Sequence, residues 1–340
     1  MEYPTYLGST FDASTTNLTF EISGPSDEPV KVLLSFLSPI TPTSTLRQSI
    51  PASYLSVEVS GKFDINIYLD INGLWSSADR GNTIQWEFSG TNAAGRKEGD
   101  LKAFKFQRAV EQIFTENQDR AEWGSVHFVG PSDVQHEVGT SAIVRQRFAR
   151  TGTLGNVIDG NFRGIMDDEP IFAFSKSFKL SSTSAADGEI TQSALFTLAH
   201  LQERVIQYAS SDGLKHMKPF WSTHHKSTED LLNYHYHDFH RASELASKYS
   251  SQLERDALVS GGEDYKDILA LSARQVLGAC SFAGTHEDPL IFFKEISSDG
   301  NMNTVDVIFP AFPFFLYTNP RWLAYVLEPL LEIQYSGQYP

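Results

Sequence analysis

The chain has 340 residues, of which 41% are hydrophobic and 20% charged, enough apolar material for about two folded domains. Lysine and arginine number 27 against 42 aspartates and glutamates, a formal charge of −15, which excludes the basic footprint that phosphate backbones need; no nucleic-acid partner is expected. No apolar run reaches the roughly 18 residues of a membrane-spanning helix, and the single cysteine, Cys280, leaves no intrachain disulfide and reads as a small core residue.

Residues 1–215 read as β structure. The first twenty carry no basic and apolar leader, so no signal peptide is expected within the chain. Asn17-Leu18-Thr19 is a glycosylation sequon. Leu34, Phe36 and Leu37 form a short apolar run before Pro39 and Pro42. Leu55, Val57 and Val59 alternate with Ser56, Glu58 and Ser60, the period of a half-buried strand. The same period recurs at Phe63, Ile65, Ile67 and Leu69, at Ile84, Trp86 and Phe88, and at Phe172, Phe174 and Phe178. Residues 194–199 are another candidate strand, and 101–115 fit either helix or strand. Asn72-Gly73, Asp159-Gly160 and Asp187-Gly188 are turn signals. Many short strands with glycine punctuation predict an antiparallel β-sandwich. Its aromatic residues, Trp75, Trp86, Trp123 and Tyr68, either fill a core or stack on sugars.

Around 210–226 the composition shifts, and Ser-Ser-Asp-Gly with Lys218-Pro219 predicts a linker, placed at 216–226. Ser227, three residues before Asp230, caps a helix that Leu231, Leu232, Ala242, Leu245, Ala246, Tyr249 and Leu253 carry to about Leu258. His224, His225, His235, His237 and His240 cluster here. His237 and His240 have i, i+3 spacing, but no HExxH motif or acidic ligand accompanies them, so solvated histidines and no metal are expected.

After Gly261-Gly262, the residues Tyr265, Ile268, Leu269, Ser272, Val276 and Ala279 fall on one helical stripe, with Ala270 and Leu277 beside it; a largely buried helix is predicted. Leu290–Ile296 and Thr304–Phe309 are apolar and rich in β-formers, and Asp299-Gly300 lies between them. They predict a hairpin closed by Pro310 and Pro313. Asn319-Pro320 opens a last helix, with Leu323, Val326, Leu327, Leu330 and Leu331 as its apolar face.

This stretch resembles the fungal glutaminase A family. Asp264, Tyr265, Ile268, Leu271, Ser272, Ala273, Arg274 and Gln275 match the family's D-Y-x-x-I-x-x-L-S-A-R-Q pattern. Lys294, Glu295, Ser297, Ser298, Gly300, Thr304, Val305, Asp306, Val307 and Pro310 match its K-E-x-S-S-N-G…T-V-D-V-x-x-P pattern, with Asp299 in place of the usual Asn. The resemblance implies β + α architecture: a β-sandwich over 1–215, then over 227–340 the first helices of a six-helical-hairpin (α/α)6 domain with a β-hairpin insertion. It implies secretion, and an amidohydrolase that converts L-glutamine and water to L-glutamate and ammonia. The family's later A-x-H-D-x-G and P-x-E-E-x-G-N-M motifs are absent, so the chain resembles a fragment truncated at both ends, with an incomplete barrel that is expected to be inactive alone and prone to aggregate.

For such chemistry a small-molecule amide substrate and no cofactor are expected. Arg274 suits an α-carboxylate, with Gln275 and Ser297 beside it as substrate-binding groups. Lys294, Glu295 and Asp306 supply a cation and two acids as catalytic candidates, and Ser297 or Ser298 a hydroxyl. Lys294 and Glu295 are adjacent and project to opposite faces of a regular strand. The structural alternative pairs Arg274 with Asp267, Glu295 or Asp306 in an ion network. Two other function classes fit the architecture: a carbohydrate-active enzyme using Glu295 and Asp306 as paired carboxylates, and a non-catalytic binding fragment.

Overall fold

The computed structural model describes residues 3–24, 28–90, 101–181, 190–295 and 301–337. The first half holds β1 (Thr5–Phe11), β2 (Thr15–Ile22), β3 (Val30–Leu37), a one-turn helix α1 (Thr45–Gln48), β4 (Ala52–Gly61), β5 (Ile65–Asn72), β6 (Thr83–Ser89) and β7 (Leu101–Arg108). There follow β8 (Glu116–Asn117), β9 (Arg120–Ala121), β10 (Ser125–Pro131), β11 (Gln135–Thr140), α2 (Ser141–Thr151), β12 (Arg163–Gly164), β13 (Pro170–Phe178) and β14 (Ile190–Leu201). Nine strands form one antiparallel sheet in the order β1-β2-β3-β4-β14-β10-β7-β6-β12, and β11-β13-β5 form a second. Burial in β7 alternates residue by residue, so the ambiguous stretch 101–115 begins as a strand.

The two sheets face each other across a phenylalanine-rich core. Phe104, Phe106, Phe128 and Phe196 come from the large sheet and Phe172, Phe174 and Phe178 from the small one. Phe106 stacks on Phe172 with ring centroids 4.1 Å apart. Each such ring contributes about 1.5–3 kcal/mol by leaving water. Trp86 belongs to this core, and buried Trp123 donates Nε1–H to the Arg204 carbonyl at 2.8 Å. Trp75 alone of the named tryptophans is exposed. The expected β-sandwich is thus present.

The second half opens with a hairpin, β15 (Ile206–Ser210) and β16 (Gly213–Met217). Ser210-Ser211-Asp212-Gly213, read as linker, is its tight turn, with Ser210 Oγ–H donating to the Gly213 carbonyl at 2.8 Å. A 3₁₀ turn at Phe220–Thr223 then buries Phe220 and Trp221. Next come α3 (Thr228–His237), α4 (Phe239–Gly261), α5 (Glu263–Gly278), β17 (Cys280–Gly284), β18 (Pro289–Phe293), α6 (Val305–Thr318) and α7 (Pro320–Tyr335). Ser227 caps α3 as expected, its Oγ accepting from Asp230 N at 3.1 Å. The single helix expected to Leu258 is broken at Asp238, whose carboxylate is held at two points by Arg47, at 2.6 and 2.9 Å.

The histidines divide. His224, His237 and His240 are exposed, as expected, whereas His225 and His235 are buried. His235 stacks on Tyr54 at 4.0 Å, and the Tyr54 hydroxyl donates to the His235 carbonyl at 2.8 Å. With Tyr236 O–H donating to the Leu195 carbonyl (3.1 Å) and Asn319 Nδ2–H to the Pro42 carbonyl (2.9 Å), these contacts join the helices to the large sheet and to the connection after β3. Cys280 begins β17, and burial pushes its thiol pKa up, keeping it unreactive.

Two expectations about 261–310 need correction. First, α5 is not largely buried. Ala270 and Ala273 face inward with Leu269 and Leu277, toward Tyr249 and Leu253 of α4, while Tyr265 and Ile268 of the predicted stripe lie exposed, as does Leu271. Second, Thr304–Phe309 is not a strand. β18 pairs instead with β17, from Cys280↔Phe293 to Gly284↔Pro289. Only the bridge Lys294↔Met302 remains of the expected pairing. Buried Asn303 is the cause. Its Oδ1 accepts from Phe293 N (2.6 Å) and its Nδ2 donates to the Val326 carbonyl (2.8 Å), and its left-handed φ of 54° turns the chain away from β18. The following residues wind into α6 with Pro310 and Pro313 inside it, and Ile308, Ala311 and Phe315 pack on Trp322 and Val326 of α7. Asn319 caps α7 as expected. Of the leucines assigned to the face of α7, Leu331 is exposed. The Asp-Gly turn at 299–300 lies outside the described residues, as does Asp187-Gly188.

Candidate functional site

Of the six residues singled out by sequence, three surround the start of α6. Lys294 and Glu295 leave the end of β18, and Asp306 lies exposed in the first turn of α6. The strand does separate the first two. Lys294 Nζ reaches back to Glu116 of β8, while the Glu295 carboxylate turns the other way, accepting from Asn301 Nδ2 at 3.4 Å and Thr304 Oγ1 at 3.5 Å. Glu295 N–H donates to the Asn301 carbonyl at 2.9 Å, which holds the Glu295 backbone against the approach to α6. Neither Glu295 nor Asp306 forms a salt bridge among the described residues. Two carboxylates at one helix start, beside free helical N–H groups, can exchange protons with a bound polar group. Ser297 and Ser298 lie outside the described residues.

Arg274 and Gln275 are elsewhere. Gln275 is exposed on α5. Arg274 points toward the sheet domain. Its Nε–H donates to the Asp12 carbonyl at 2.8 Å, one Nη to Thr16 Oγ1 at 2.8 Å and the other to the Thr15 carbonyl. In the β1–β2 turn Asp12 Oδ1 accepts from Ser14 N at 2.6 Å and Thr15 N at 2.7 Å, and the Thr15 carbonyl also accepts from Asp12 N at 2.9 Å, so the guanidinium docks on a turn already closed by its own bonds. Phe11 lies 5.8 Å beneath the guanidinium. Burial pushes the Arg274 pKa down from its ordinary value, partly offset by the Asp12 charge. None of Asp267, Glu295 and Asp306 is its ion partner. The arginine that sequence pattern placed beside a substrate therefore ties α5 to the first hairpin of the sheet.

Among the described residues, no three of His, Cys, Asp and Glu converge as metal ligands. No described helix is long and apolar enough to cross a membrane. Sequence reasoning overlooked Asn303, which orients the segment between Glu295 and Asp306; its only local signal is asparagine's tolerance of left-handed backbone.

Residues 16–256 match the family described as a domain of unknown function, DUF5127, and residues 262–340 match the glutaminase A six helical-hairpin domain. A protein named "probable glutaminase" from Arthroderma benhamiae is 54% identical over 98% of this chain and 39% of its own length. One named glutaminase A from Aspergillus oryzae is 37% identical over 99% of this chain and 49% of its own length. The chain thus spans less than half the length of either relative. These two matches cover all but five residues from residue 16 onward, and the chain belongs to the glutaminase A family, with its DUF5127 and six-helical-hairpin domains.

Proposed function

We propose that this chain is part of an amidohydrolase that converts L-glutamine and water to L-glutamate and ammonia. The 54% identity, across nearly the whole chain, to a protein named as a glutaminase carries the reading. In it, Glu295 and Asp306 move the protons: one carboxylate takes a proton from the attacking water, and the other, protonated, delivers one to the leaving nitrogen. Lys294 adds positive charge there only on leaving Glu116, and Ser297 binds the substrate; Gln275, on α5, takes part only from a distance. Arg274 reaches a substrate carboxylate only by releasing the β1–β2 turn. Supporting the acid pair are their shared position at the start of α6 and their freedom from salt bridges among the described residues.

The 340-residue chain alone is inactive in this reading, because the outward apolar residues Tyr265, Ile268, Leu271 and Phe309 then have no cover. The test is ammonia release from L-glutamine by the full-length protein and by the 340-residue chain. Activity is expected only in the former. Glu295→Gln and Asp306→Asn in the full-length protein should each lower kcat by about 100-fold or more. Full activity in both variants overturns the assignment of the acids, and no ammonia from the unaltered full-length protein overturns the reaction.

A further inference from the structure

The outer face of the large sheet, turned away from the phenylalanine core, carries two open crevices of about 360 and 240 Å³. Glu87 of β6 and Lys105 of β7 line both, so the two are halves of one groove, and the larger half alone falls within the size range of small-molecule sites. At one end Thr228, Leu232 and Asn233 of α3 form a wall. At the other lies Phe162, 48% exposed, its ring held edge-on by Trp86 with centroids 4.9 Å apart.

Strand register sets the chemistry of the floor. Gln85 lies opposite Gln107, and in the next row Glu87, Lys105 and His127 follow one another on three neighbouring strands. Such strands are about 4.8 Å apart, so five polar side chains share one small patch. Neither glutamine amide has a hydrogen-bond partner among the described residues. Glu87 and Lys105 neutralise each other at 2.7 Å and keep lone pairs and N–H groups to spare. His127 is 2% exposed and meets Ser125 Oγ through Nε2 at 2.8 Å; its Nδ1 has no partner among the described residues and is not sealed from water. Burial pushes its pKa down to about 4, so the ring stays uncharged near neutral pH.

This floor mixes donors with acceptors, and its two formal charges cancel. Glu229 at the α3 end has no salt-bridge partner among the described residues, which disfavours an anion. A ligand that answers such a surface carries groups that donate and accept at once, and an apolar face for the Phe162 ring; the hydroxyls and C–H faces of a sugar do both. We propose that this groove binds a neutral oligosaccharide, with Gln85, Gln107 and His127 bonding its hydroxyls and Phe162 packing on one sugar ring. Glu87 is tied to Lys105, so the groove lacks a second free carboxylate for glycosidic hydrolysis and holds the sugar without cutting it. It shares no residue with the acid pair at α6.

Calorimetric titration of the full-length protein with maltopentaose, cellopentaose and mannopentaose, and with an anionic oligogalacturonate of the same length, tests this. Saturable one-site binding is expected for at least one neutral sugar, and at least about tenfold weaker binding for the oligogalacturonate. The double variant Gln85→Ala/Gln107→Ala should weaken the neutral sugar about tenfold, the worth of two ordinary hydrogen bonds. Phe162→Ala should weaken it as well, whereas Trp75→Ala, at an exposed tryptophan outside the groove, should leave it unchanged. Absence of saturable binding by all three neutral sugars overturns the proposal, as does oligogalacturonate binding equally tightly, and neither result needs a variant. Unaltered affinity in the double variant or in Phe162→Ala, each shown by circular dichroism to be folded, overturns it too, and so does lost binding in Trp75→Ala.

Discussion

Asn303→Ala is the sharpest test of how this chain builds the segment around the acid pair. The side chain is buried, accepts from Phe293 N at 2.6 Å and donates to the Val326 carbonyl at 2.8 Å. Truncation leaves one donor and one acceptor buried without partners, at about 1–3 kcal/mol each. The left-handed φ of 54° adds about 1 kcal/mol for a residue with a Cβ that lacks asparagine's local compensation. The expected loss is thus about 3–7 kcal/mol. Asn303→Gly separates the two contributions: it relieves the backbone and still loses both hydrogen bonds, so it should be about 1 kcal/mol less damaging than alanine. Urea unfolding followed by tryptophan fluorescence reads the difference, because Trp322 is fully buried in the cluster that Asn303 abuts. A loss under about 0.5 kcal/mol for Asn303→Ala, the level of an ordinary surface substitution, would refute the claim that Asn303 displaces the second strand.

Two further outcomes follow from buried groups and backbone. Burial pushes the imidazoles of His127 and His235 down to about 4 and about 3, whereas in the unfolded chain they titrate near about 6.5. Below that pH the unfolded chain binds protons that the folded chain refuses. Their contribution is therefore complete above about pH 6.5 and falls on acidification, by up to about 1.4 kcal/mol per pH unit for each histidine, until the folded groups titrate. Urea midpoints should drop between about pH 7 and about pH 5, less steeply in His127→Gln; equal slopes would count against burial as the cause. Gly284 joins β17 to its turn at φ +90°, and a Cβ there would lie 2.3 Å from the Asp288 carbonyl oxygen. Gly284→Ala should cost at least about 2 kcal/mol, and a thermal melt matching the unaltered chain would rule that strain out.

What was legible in the sequence is what short-range patterning decides. The period of two from Leu55 to Val59 and at Ile84–Phe88 gave strands, and the Ser227 and Asn319 caps marked true helix starts. Long-range partners decided the rest. Arg274 is a helix residue whose three acceptors lie 258 to 262 positions earlier, so an arginine in a family motif read equally well as a ligand for substrate. His235 is buried because Tyr54, 181 positions away, stacks on it; nothing beside it in the chain indicates that. Val305–Phe309 has the composition of a strand, and only Asn303 binding β18 and α7 withdraws the edge it would have paired with. The linker reading failed for a different reason. Ser-Ser-Asp-Gly is polar in a linker and in a hairpin turn alike, and the alternating burial of Ile206 and Tyr208 just before it was the signal to follow.

The orientation of α5 shows where counting apolar residues stops being sufficient. The helix has two apolar stripes. One is small, Ala270 and Ala273, and admits α4 closely enough for Tyr249 and Leu253 to pack against it. The other is large, and Tyr265, Ile268 and Leu271 remain 39%, 58% and 47% exposed. Hydrophobicity alone favours burying the larger stripe, since each such side chain is worth about 1.5–3 kcal/mol. Close-packing against α4 selects the smaller one, because an added methylene in a filled interface costs about 1–3 kcal/mol. The two faces should therefore respond oppositely. Ile268→Glu with Leu271→Glu should leave the urea midpoint of the 340-residue chain within about 0.5 kcal/mol of its original stability and reduce self-association in sedimentation. Ala273→Leu should lower stability by at least about 1 kcal/mol. If the outward glutamates unfold the chain while Ala273→Leu is neutral, α5 sits the other way round, and Arg274 cannot be the residue that ties it to the β1–β2 turn.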